Sequence, residues 1–61
     1  MMSKADIKKL LKDAERYCKS ARGAVHFADA PTFYSYLAGA RSMLDKAEEQ
    51  FNEEWRKRDG A

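Results

Sequence analysis

Four alanines restrict this chain more than any other feature. Ala14 and Ala21 stand seven residues apart, and so do Ala40 and Ala47. Each pair belongs to a row of apolar residues advancing in steps of three and four, which is the helical period. The first row is Ile7, Leu10, Leu11, Ala14, Tyr17, Cys18, Ala21, Ala24, Val25 and Ala28. The second is Phe33, Leu37, Ala40, Leu44, Ala47, Phe51 and Trp55. Neither row is interrupted by strand-like alternation.

The two rows match each other when one is reversed. Facing residues of an antiparallel pair have position numbers with a constant sum. Ile7/Trp55, Leu11/Phe51, Ala14/Ala47, Cys18/Leu44, Ala21/Ala40, Val25/Leu37 and Ala28/Phe33 all add to 61 or 62. The alanine layers let the two axes approach closely, and the larger layers fill the space toward the open end. The expected fold is therefore all-α: an antiparallel helical hairpin, one domain over 1–61. Helix one covers about 4–28, a turn about 29–31, and helix two about 31–58.

Local signals agree with those bounds. Ser3 followed by Asp6 has the spacing of a capping box, with Asp in the usual Glu/Gln place. The unbroken row beyond Gly23 carries helix one past that glycine, at about 1 kcal/mol of propensity cost. Asp29 is a capping residue type, and Pro31 suits a first turn but not a helix interior. Arg56, Lys57 and Arg58 place cations in the last turn, where the helix dipole favours them.

Length then raises a question of support. A chain of 61 residues buries only roughly 60% of the surface its unfolded form exposes, and small scaffolds usually need a disulfide, a metal or a partner. One cysteine and one histidine provide neither a bridge nor a metal pair. Yet the stretch "AVHFADAPTFYSYLAGARSML" holds only Asp29 and Arg41 as charges, in a chain that is 36% charged. A second apolar set, Leu10, Tyr17 and Ala24 on helix one with Tyr36 and Met43 on helix two, lies on one flank of the seam, and Gly39 makes a low spot there. The other flat face, with Lys4, Lys8, Glu15, Arg22, Arg41, Glu48 and Asn52, reads as solvated. The expected interface with a partner is thus Leu10, Tyr17, Ala24, Tyr36, Gly39 and Met43. A second copy there completes a four-helix bundle with two-fold symmetry; another protein is the competing occupant.

Few residues offer chemistry. Cys18 and His26 are eight positions apart on one helix, too far for a nucleophile–base pair within one chain. Cys18 is expected as a buried, inert thiol in the seam. Glu48, Glu49, Glu53 and Glu54 lack the Glu-x-x-His spacing of di-metal bundles, and Gly23, Gly39 and Gly60 are isolated rather than grouped in a phosphate loop. No catalytic, cofactor or metal site is expected, and the chain reads as a non-enzyme. With no membrane-length apolar run, no signal-peptide core and a free thiol, it reads as cytoplasmic.

Contact with macromolecules remains. His26, Phe27 and Tyr34 cluster near the turn and form a candidate docking tip. Residues 1–28 carry seven basic and three acidic side chains, a balance of +4, whereas 29–61 carry five and seven, a balance of −2. Lys8, Lys12, Arg16, Lys19 and Arg22, joined by Arg41, form a row that could follow nucleic-acid phosphates. Against this stand the interrupting Glu15, a pI near 8.8 and the absence of aromatic residues among the lysines. The primary expectation is a regulatory or adaptor protein acting by protein–protein contact and self-association; RNA or DNA binding through the basic row is the alternative. The plan, a hairpin with small residues in its core layers, is similar to that of plasmid copy-control RNA-binding hairpins of the Rop type. That resemblance implies a dimeric four-helix bundle. It covers the design of the two helices and no motif, so no binding residue carries over. Small phage, plasmid or host regulators often have this size and form.

Overall fold

A computed structural model of the chain describes residues 3–56. Two helices pack side by side: α1, Lys4–His26, and α2, Ala30–Phe51, which continues into a π-helical segment, Asn52–Arg56. The chain measures 47 × 19 × 14 Å with a radius of gyration of 14.2 Å. A compact chain of this length would have a radius near 10.5 Å. The molecule is a rod two helices wide.

The helix starts are fixed by side-chain caps. Ser3 Oγ accepts the Asp6 N–H at 3.2 Å, and Asp6 Oδ2 accepts the Ser3 N–H at 3.1 Å. Two otherwise unpaired donors are thereby satisfied. At α2, Asp29 Oδ1 accepts the Thr32 N–H at 3.3 Å, and the Thr32 hydroxyl donates to Asp29 Oδ2 at 2.7 Å. Pro31 sits in the first turn of α2, where its missing N–H costs nothing.

The end of α1 differs from the sequence expectation. The helix passes through Gly23 but stops at His26, two residues short of Ala28. The Ala28 N–H donates to Val25 O and the Asp29 N–H to Ala24 O, both at 3.0 Å. These are the two bonds of a Schellman closure, which requires a left-handed residue after the cap. Ala28 fills that place with φ of 53°. The turn is therefore 27–29, and Ala30 and Pro31 belong to α2 instead. Ala28 is exposed rather than closed into the seam, and with Phe33 it lines a shallow pocket at the turn. The expected end of helix two, near 58, lies outside the described residues.

Glycine and alanine thus occupy each other's preferred places. A Cβ built on Gly23 would have nothing within 4 Å, so Gly23→Ala should stabilise the hairpin by about 1 kcal/mol through propensity alone. Ala28→Gly should add a comparable ~1 kcal/mol by relieving the left-handed strain. Thermal melts of the two variants and their combination check this; the sites should be additive, and an unchanged Ala28→Gly melt would contradict the strain.

The core is a line of small residues. Among the described residues, Ile7, Ala14, Ala21 and Ala24 of α1 and Ala40 and Ala47 of α2 are the buried hydrophobics. Four of the six are the paired alanines. At α2's far end the helix widens into its π turn, and Trp55 lies against Phe51 with ring centroids 5.3 Å apart.

Candidate protein-interaction site

Alanine in the seam has a consequence on either side of it. Residues three positions after each seam residue line one flank, and residues four positions after line the other. The two flanks are treated differently.

On the first flank the helices cover themselves. Tyr17 lies across to α2, over Gly39; a Cβ there would stand 2.8 Å from the nearest ring carbon. Tyr17 and Tyr36 rings are 6.4 Å apart and tilted by 46°. Leu10, Tyr17, Tyr36, Gly39 and Met43 are half-buried within a single hairpin, and Ala24 is buried. Ala24, expected at a partner interface, is closed off inside the chain. A shallow groove of about 370 Å³ remains, bounded by Asp13, Arg16, Tyr17, Ser20, Tyr36 and Met43.

The second flank is open. Leu11, Val25, Leu44 and Phe51 are 47%, 61%, 46% and 52% exposed, and Cys18 between them is exposed as well. All five were expected in the seam. The buried, inert Cys18 is thus corrected to an accessible thiol, and the face expected to be solvated carries an apolar strip beside its charges. The physical reason is what stands opposite each side chain. Tyr17 lies over the space left by Gly39, whereas Leu11, Cys18, Val25 and Leu44 have no glycine opposite them. At the open end the strip widens into a groove of about 540 Å³ formed by Lys4, Ile7, Lys8, Leu11, Phe51 and Trp55.

The tip presents aromatics. Phe27 is 80% and Tyr34 66% exposed, and His26 is exposed too. The His26 and Phe27 rings meet edge to face at 5.1 Å, and Phe33 and Tyr34 do so at 5.4 Å. His26 and Phe27 are both exposed, whereas Phe33 is half-buried and holds the exposed Tyr34 at its edge. Beside them lies the strained Ala28.

Lys8, Lys12, Arg16, Lys19, Arg22 and Arg41 are all exposed. Among the described residues no three His, Cys, Asp or Glu side chains converge as a metal site, and no helix is long and apolar enough to cross a membrane. What the arrangement offers is contact area: one apolar strip along the rod, an aromatic tip and a basic edge. Sequence reasoning missed the strip because it assigned those residues to the core; the seven-residue spacing of Leu11, Cys18 and Val25 and of Leu44 and Phe51 is shared by the buried alanines and does not separate the two rows. Compared with known proteins, the chain matches no family model, no curated protein and no solved structure.

Proposed function

We propose that this protein is a non-enzymatic regulatory or adaptor protein that acts by protein–protein contact, and that its hairpin self-associates into a four-helix bundle. The observation that carries this reading is the exposed strip of Leu11, Val25, Leu44 and Phe51. Exposed apolar residues aligned along one flank in this way support an interaction site, whereas scattered ones would need no explanation. The bundle covers the strip, and the aromatic tip of His26, Phe27 and Tyr34 stays free for a different protein. An exposed Cys18 thiol fits a reducing, cytoplasmic setting.

Affinity capture tests the adaptor role. Wild-type protein should retain one partner in stoichiometric amount, and Phe27→Ser with Tyr34→Ser should lose it while helicity and assembly are kept. Retention by the double variant would remove the tip from the account. Nucleic-acid binding is supported by the exposure of all six basic side chains in the row. It would appear in the same preparation as RNA or DNA binding that weakens steeply with salt and falls on Lys12→Glu.

A further inference from the structure

We infer that the apolar strip is closed by a second copy of this chain running in the opposite direction, with the two-fold axis beside Cys18 and Leu44. This rests on the interaction reading above and names the occupant of the strip.

Area is the first support. The chain exposes 5028 Å², whereas a compact chain of 7.0 kDa would expose about 4,000 Å². The rod's broad face, 47 by 19 Å, matches the roughly 800 Å² per partner of a standard interface. Two copies stacked on this face also make a bundle two helices thick in each direction, which gives each strip a core to enter.

Charge selects the occupant and its direction. Glu15 and Arg22 stand seven residues apart on α1, just beyond the strip; Arg41 and Glu48 stand the same way on α2. All four are exposed, and in a four-helix bundle such positions edge the contact between stacked helices. A half-turn about an axis crossing the rod at Cys18 and Leu44 sets α1 on α1 and α2 on α2, each reversed. Leu11 and Val25 lie seven residues on either side of Cys18, so each meets the other across the axis. Phe51 and the half-buried Leu37 do the same about Leu44. At the edges Glu15 then comes level with Arg22 of the second copy, and Arg41 with Glu48 of the second copy. Symmetry makes each attraction twice.

The other pairing through the strip is worse matched. Copies stacked in the same direction set α1 on α2, which brings Glu15 beside Glu48 and Arg22 beside Arg41. Like charges would meet at both levels. Stacking through the tyrosine flank in reverse puts Asp13 level with Ser20 and Lys46 level with Gly39; in the same direction it sets Asp13 beside Lys46, but that flank is already half-buried within one hairpin and its use leaves the exposed strip uncovered. Of the two pairings through the strip, only the reversed one sets all four charges beside opposite ones.

Sedimentation equilibrium at micromolar concentration, with charge reversal, tests the inference. The expected species is about 14 kDa, twice the 7.0 kDa chain. Glu15→Arg should weaken the dimer roughly ten-fold, because two attractions become two repulsions. Adding Arg22→Glu should restore wild-type association. Tightening by Glu15→Arg would overturn the reversed direction, since it would mean that Glu15 faces Glu48. Cys18 should become protected from alkylation as the dimer forms; a dimer whose Cys18 reacts at the monomer's rate places the contact on the tyrosine flank and overturns the inference. A folded 7.0 kDa monomer overturns it outright and leaves the adaptor role to the capture experiment. A dimer that captures no other protein does the reverse.

Discussion

Replacing Ala40 with leucine is expected to lower the melting temperature by roughly 5–25 °C, since over-packing costs about 1–3 kcal/mol and a domain this small shifts about 4–8 °C per kcal/mol. Ala40 is 3% exposed and faces Ala21, itself 4% exposed. The layer toward the open end repeats the pattern with Ala14 and Ala47, each 3% exposed. Three added carbons have no neighbour that can shorten to admit them. They separate the backbones, and separation withdraws Tyr17 from Gly39, so the damage spreads along the rod. Against a total stability of about 3–9 kcal/mol for 61 residues, that loss is a large share. Circular dichroism melts measure it directly. A variant that melts with the wild type would show that the alanines do not set the distance between the helices.

Leu44→Glu is expected to act on assembly and spare the hairpin. Leu44 is 46% exposed in the single chain, so its carboxylate can stay in water, and a surface change of this kind usually stays within about 0.5 kcal/mol. In the reversed dimer the two copies of residue 44 lie beside the axis and face each other. Two carboxylates would then be brought together and dehydrated with no cation between them. Uncompensated buried charge costs about 3–5 kcal/mol, which lowers the association constant some 10²- to 10³-fold or more. The wild-type melting temperature should rise with protein concentration, and that dependence should vanish in the variant. Unchanged association of Leu44→Glu would place the contact elsewhere.

These two substitutions separate what each apolar residue does. Ala40 and Leu44 are one helical turn apart and belong to the same row of the sequence. One holds the helices together, and the other meets whatever lies outside. Hydropathy alone assigns both to the core.

Much of the hairpin can be read from residue order because it depends on short-range chemistry. The Ser3–Asp6 box, the Asp29 cap and Pro31 in the first turn of α2 each involve groups within three residues of one another. The passage of α1 through Gly23 follows from the continued apolar row, and the Ala14/Ala47 and Ala21/Ala40 layers follow from matched spacing. The end of α1 was less legible. Ala28 takes a left-handed φ of 53° because the hairpin must reverse there, although its own side chain favours continuing the helix. The π turn at Asn52–Arg56 likewise has no signal in the apolar period.

Residue order by itself determined two amphipathic helices, their caps, their antiparallel pairing and the alanine seam between them. The tertiary structure decided which flank of that seam is covered. Periodicity defines an apolar arc on each helix but not how much of the arc a neighbour can shield. That depends on what stands opposite each side chain: Tyr17 lies over Gly39 on one side, and Leu11, Cys18, Val25, Leu44 and Phe51 on the other are left exposed.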